Sequence, residues 1–270
     1  MSNKVIFILI DGLNFDTAVK ELGYMESLVV NGLARRWKMQ CELPSNSRPL
    51  YETVHTGLAP IEHGILSNDH VRLSTSKNIF SICREHQRST AAAAYSWFSE
   101  MYNQERWDIV EHSEQADENQ LIQYGRFYQY DDYPDQHLFA DAERLVRQYQ
   151  PDYLLVHPMG CDFFGHMFGG DSAQYARKAS RMDQLLCDYI PAWRAQGYQV
   201  VVSADHGMDA FKGHGGTRSE VVDIPFYLVA DGVEGGCPGE LADQKSVAPT
   251  LLRLLELPVP EEMKVSGLII

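Results

Sequence analysis

Four short stretches of this chain, each read as closing an apolar, strand-like run, carry Asp or His: ILIDG at 8–12, CDFFGH at 161–166, SADHGM at 203–208 and GHGG at 213–216. In an open α/β sheet the loops at the carboxyl ends of parallel strands face one crevice, so residues distant in sequence meet there. Four such stretches bring together three carboxylates (Asp11, Asp162, Asp205) and three imidazoles (His166, His206, His214), with a serine offered by SNSRP at 45–49. A site that holds two divalent ions about 3.5–4 Å apart needs several anionic oxygens and neutral nitrogens from separate segments. The pattern therefore predicts an α/β chain with the ligand inventory of a two-metal hydrolase.

Apolar, β-branched runs recur at Val5 to Ile10, Tyr153 to Val156, Val200 to Val202 and Ile224 to Val229, separated by stretches of helical spacing. Leu138 to Tyr149, Ser172 to Tyr189 and Ser246 to Leu257 are the helical candidates, the last stopped by Pro258 and Pro260. Alternation of this kind predicts a mainly parallel sheet sandwiched by helices. Residues 1–270 are expected to form one catalytic domain. Between about 96 and 136 the sequence turns aromatic, acidic and irregular, which predicts a surface excursion or a small cap that could roof the crevice.

A net charge of −14 argues against binding of nucleic-acid polymers, whose partners concentrate Lys and Arg on one face. The first apolar run is too short for a signal-peptide core or a membrane span, and no basic or amphipathic docking face stands out, so no membrane association is expected. Five scattered cysteines without a Cys-x-x-Cys pair read as reduced thiols of a cytoplasmic protein. Cys161, beside Asp162, reads as a packed small hydrophobe rather than a ligand.

Pro44 and Pro49 frame a turn around Ser47, and a helix can open over Pro49 to Val54. Backbone N–H groups at such a helix start favour an alkoxide and an incoming phosphate. A plain cap is the structural alternative, and Ser45 is an alternative nucleophile. Taken singly, Asp11 reads equally as a turn residue, His206 and His214 as ordinary polar groups, and the Asp162–His166 spacing as a loop, since Gly165 weakens a helix there.

Jointly these residues resemble a known family. SRPLYETVHTGLAPIEHGI, from Ser47 to Ile65, is similar to the nucleophile segment of the alkaline phosphatase superfamily, in the branch of type I phosphodiesterases, nucleotide pyrophosphatases and phosphonoacetate hydrolases. Ser47, Pro49, Thr56, Gly57, Leu58, Pro60, His63, Gly64 and Ile65 match its spacing and select Ser47 over Ser45. Asp11, the Asp162–His166 pair, the Asp205–His206 pair and His214 follow in the family's order, and APTLLRLLELPVP resembles its closing helix.

The resemblance implies one ion on Asp162, His166 and His214 and a second on Asp11, Asp205, His206 and the Ser47 oxygen. Mixed imidazole and carboxylate ligation suits Zn²⁺, with Mn²⁺ or Fe also compatible. It implies hydrolysis of phosphodiester or nucleotide pyrophosphate bonds through a phospho-serine. Phosphonate or phosphomonoester hydrolysis is the alternative, and a catalytically silent metal-stabilised binding protein is the alternative of another class. Tyr51 stands where sulfatases of the superfamily carry the Arg that directs formylglycine formation, which argues against that branch; the phosphomutases carry larger inserted domains. Arg48 replaces the family's stacking aromatic and Leu50 an Asn that binds a phosphoryl oxygen. Arg48 is thus either a contact for a small anionic phosphate- or phosphonate-containing substrate or a solvated surface residue.

Overall fold

The computed structural model describes residues 3–269. Nine strands form one sheet: β1 (Lys4–Ile10), β2 (Arg35–Gln40), β3 (Thr90–Tyr95), β4 (Glu114–Ala116), β5 (Tyr124–Tyr128), β6 (Tyr153–Val156), β7 (Tyr198–Ala204), β8 (Asp223–Val229) and β9 (Leu241–Asp243). Their order is β4-β5-β3-β6-β1-β7-β8-β2-β9. The five from β5 to β7 run parallel; β4 lies antiparallel on β5, β8 lies antiparallel to both β7 and β2, and β9 pairs parallel with β2.

The apolar runs become the centre of this sheet. β1, hydrogen-bonded on both sides, buries every residue from Val5 to Ile10 completely, because helices cover both faces. One face carries the helices Phe15–Glu21, Gly23–Val30, Asp135–Tyr149 and Ala173–Ala195; the other carries Ser47–Thr56, Ile79–Glu85 and Val247–Leu254. Among the described residues no helix is long and apolar enough to cross a membrane.

Two strands are disguised in the sequence. β3 is TAAAAY, a composition that favours helix in isolation, yet all six residues are buried between β5 and β6, where small side chains let the covering helices approach. β2, RRWKMQ, sends Trp37 and Met39 inward, while Arg36 and Lys38 lie on the other side, where Lys38 pairs with Asp223 at 2.6 Å. The irregular stretch at 96–136 supplies β4 and β5 to the sheet's edge, with Tyr95 opposite Tyr128 in the parallel register. The helix Ser96–Tyr102 lies at its start.

Register fixes the position of the site. Ile10 pairs with Ala204 and Ile8 with Val156, so β1 and β7 end level, β6 ends two residues earlier, and all three release their next residues on the same edge of the sheet.

Candidate active site

Because Ile10 and Ala204 are register partners, Asp11 and Asp205 emerge side by side. The Gly12 amide donates to Asp205 Oδ1 at 3.1 Å and ties the two loops. His206 follows at once, its Nε2 3.2 Å from Asp205 Oδ2 and 3.6 Å from Asp11 Oδ1. All three side chains are fully buried, and one donor atom from each falls within 4.8 Å of the others, close enough for a single ion. Ser47 is the first residue of the helix Ser47–Thr56, and its Oγ lies 3.1 Å from His206 Nε2. Ser45, by contrast, commits its hydroxyl to the His214 carbonyl at 2.5 Å.

Asp162 and His166 ride on the helix Gly160–Phe168, one turn apart, with His166 Nε2 3.4 Å from Asp162 Oδ2. The expectation that Gly165 would weaken a helix here is corrected: a Cβ at Gly165 would stand 2.6 Å from Met208 Cγ, so the glycine serves close packing within the helix. His214 comes from the irregular segment after β7 and stacks flat on His206 at 3.8 Å. The backbone carbonyl of Ser45 accepts from His214 Nδ1 at 2.7 Å, and that of Lys212 from His166 Nδ1 at 2.9 Å. Each of these two rings thereby keeps Nε2 free as a ligand atom. The tight group in this half is Asp162, His206 and His214; His166, with 45% of its side chain exposed, stands at the rim beside Asp162.

Gly12 joins the halves. Its φ is +68°, and a Cβ there would lie 2.7 Å from the Asp162 Cα, so only glycine lets the Asp11 turn rest on the helix Gly160–Phe168.

The donor set fits divalent cations. Asp11 Oδ1, Asp162 Oδ1 and Asp205 Oδ2 are buried without a hydrogen-bond partner among the described residues, a condition that a bound cation relieves. Burial, then the Asp11 charge, pushes the carboxyls of Asp162 and Asp205 well above the ordinary range. Asp11 is the member kept ionised: burial opposes it but is outweighed by His157, His206 and Tyr51. Burial, and then the neighbouring His214, pushes His206 down to about 3, and burial also lowers His214. Three acids that cannot all ionise beside neutral imidazoles form a cluster short of positive charge.

Arg48 is not a solvated surface residue. It is 1% exposed, its guanidinium 4.4 Å from the Trp97 ring centre and its Nη2 2.6 Å from Glu100 Oε2. It also donates from Nε to the Asn68 carbonyl at 2.9 Å. Sequence reasoning missed Asn68, whose Oδ1 accepts from the Arg48 amide at 3.0 Å, placing the side-chain amide next to Ser47. It missed His157 and Tyr51 as well, both in contact with Asp11.

The sequence profile of the family "type I phosphodiesterase / nucleotide pyrophosphatase" matches residues 5–231. The catalytic subunit of human GPI ethanolamine phosphate transferase 2 is 25% identical over 280 residues, which cover 96% of this chain and 27% of that protein. A 2,3-bisphosphoglycerate-independent phosphoglycerate mutase of Myxococcus xanthus is 31% identical over 150 residues, 52% of this chain and 28% of the mutase. The chain thus spans about a quarter of the length of these curated relatives. Among solved structures, inactive murine ectonucleotide pyrophosphatase/phosphodiesterase 5 in complex with AMP superimposes with a TM-score of 0.73 at 13% identity, covering 96% of both chains. A phosphonate monoester hydrolase from Silicibacter pomeroyi does so with a TM-score of 0.66 at 12% identity, over 98% of this chain and 76% of that one. With the profile covering most of the sheet and every segment that builds the site, the chain belongs to the type I phosphodiesterase / nucleotide pyrophosphatase family of the alkaline phosphatase superfamily.

Proposed function

We propose that this chain is a two-metal-dependent hydrolase of phosphodiester or nucleotide pyrophosphate bonds, acting through a covalent phospho-Ser47. One observation carries the reading: the Ser47 hydroxyl opens a helix 3.1 Å from His206 Nε2, near buried carboxylate oxygens that have no hydrogen-bond partner among the described residues. Asp11, Asp205, His206 and Ser47 would hold one ion, and Asp162, His166 and His214 the other, with Zn²⁺ the best match to the donors and Mn²⁺ or Fe compatible. Bound there, the ions would supply Lewis-acid stabilisation of negative charge on the serine and leaving-group oxygens.

The chain's own groups do the rest. Ser47 Oγ attacks phosphorus in line, the leaving alcohol or phosphate departs, and water then releases the phosphoryl group from Ser47 with net retention at phosphorus. Asn68, beside the Arg48 amide, takes the role of phosphoryl-oxygen donor that Leu50 cannot fill. Arg48, neutralised by Glu100 and stacked on Trp97, shapes the wall next to the nucleophile rather than offering a free positive charge. Small phosphate-containing substrates suit this pocket. We further place the protein in the cytoplasm, as one catalytic unit, with residues 96–136 forming one side of the crevice through Trp97.

The test is turnover of metal-loaded protein on a nitrophenyl phosphodiester, the matching monoester, a nucleotide phosphodiester and phosphonoacetate. Preference for the diesters supports the reading. Activity confined to the monoester or phosphonate favours the alternative on the same site, and silence with all four favours the binding-protein alternative. A second reading, transfer of the phosphoryl group to an alcohol instead of water, is favoured by the relative matched over 96% of this chain, a transferase by name. Adding an acceptor alcohol to the assay and measuring the product ratio separates the two.

A further inference from the structure

Asp11 presents two different oxygens. Oδ1 lies on the site side, 3.6 Å from His206 Nε2 and without a hydrogen-bond partner among the described residues. Oδ2 points away, where the Tyr51 hydroxyl donates to it and His157 Nε2 lies 3.3 Å distant, near enough for attraction though out of line for a full hydrogen bond.

Everything around His157 fixes it in place. It follows β6 directly, its amide donates to the Ala93 carbonyl at 2.9 Å, and its own carbonyl accepts from the Tyr128 hydroxyl at 2.6 Å. The ring is wholly buried, 4.7 Å from Tyr51 and 4.9 Å from Phe98. An imidazole so enclosed loses its hydration, and a leucine would fill the volume without that loss. Tyr51 sits on the same helix as Ser47, one turn further on, so a single rigid element sets both the nucleophile and the hydroxyl that grips Asp11.

We infer that His157 and Tyr51 are positioning residues: they grip Asp11 Oδ2 from behind so that Oδ1 is turned toward the ion shared with Asp205, His206 and Ser47. The inference rests on the two-ion reading above and adds a layer that the ligand residues alone do not reveal. Outer partners of this kind orient ligating carboxylates and raise their affinity.

The test is Co²⁺ titration of the full chain followed by visible absorption, with turnover measured in parallel. His157→Leu, which keeps the bulk and deletes the ring nitrogen facing Asp11 Oδ2, should weaken the ion at Asp11 by about 10–100-fold while leaving the ion at Asp162 nearly unchanged. His157→Gln, which keeps a donor near the Nε2 position, should recover most of that loss. Binding of both ions as in the wild type, equal weakening of both, or failure of His157→Gln to recover affinity would overturn the inference. If His157→Leu does not fold, Tyr51→Phe decides: selective weakening of the ion at Asp11 supports the inference and unchanged affinity overturns it. A wild-type chain that takes up no ion overturns the two-ion reading itself, a result distinct from two bound ions indifferent to His157.

Discussion

Asp11, Asp205 and His206 are fully buried at the ends of two hydrogen-bonded strands, whereas Asp162, His166 and His214 ride on a glycine-bearing helix and an irregular segment, with the His166 side chain 45% exposed. Strand register and the Gly12–Asp205 hydrogen bond set the inner half. The outer half depends on two loop carbonyls, those of Ser45 and Lys212, to aim its imidazoles. A ligand set fixed by the sheet loses less conformational freedom on binding than one aimed by loops. The inner ion should therefore bind more tightly, and the outer one should exchange first.

The largest expected effect is common to both halves. Ser47→Ala should lower turnover by more than about 10⁴-fold with both ions retained in elemental analysis; undiminished turnover would move the nucleophile elsewhere. Next, the halves should respond differently to the loss of one ligand. Asp205→Asn should empty the inner position, whereas His166→Ala should only weaken the outer one, and equal losses in a metal titration would erase the distinction. Asn68→Ala should lower kcat by about 10²–10³-fold with metal content unchanged, separating phosphoryl contact from ion binding.

Smaller effects probe the contact between the halves. Gly12→Ala places a Cβ against Asp162 at a positive φ and should destabilise the metal-free protein by about 1–3 kcal/mol, read as a lower denaturation midpoint. Metal removal should also depend on pH. In the metal-free fold Asp162 and Asp205 are raised by burial and then by the Asp11 charge. Their contribution to stability is full below the unfolded value near 3.8 and is lost as pH rises through their folded values. Asp11, lowered by His157, His206 and Tyr51 against its burial, runs the other way, its contribution lost as pH falls. With two raised carboxyls against one lowered, chelator should depress the melting temperature more at pH 8 than at pH 5. A larger depression at pH 5 would reverse the assignment of charge in the cluster.

The inner half was the more legible in sequence, because a run such as VIFILI that ends in Asp-Gly states both its burial and its exit. The start of the long helix Ala173–Ala195 at the Ser172 cap was equally plain, but the sequence reading ended it at Tyr189, whereas it runs on through Pro191. β3 was not, since alanine carries no strand signal and its burial is imposed by neighbours distant in sequence. Residues 96–136 looked irregular because β5 gains its place only by pairing with β3. Within the site, the candidate ligands came from the likeness of their segments, in order and spacing, to the family's motifs. Asn68, Tyr51 and His157 act by touching another residue, which no local pattern records. Arg48 read as either a substrate contact or a surface group; a partner fifty-two positions away, Glu100, and the Trp97 ring bury it instead.

The most direct measurement is a calorimetric Zn²⁺ titration of the metal-free chain, repeated with His214→Ala. Two ions per chain taken up in two steps, with the weaker step removed by His214→Ala and the stronger one kept, is the predicted result. A single step, or loss of both ions together in the variant, would contradict a site divided into an inner and an outer half.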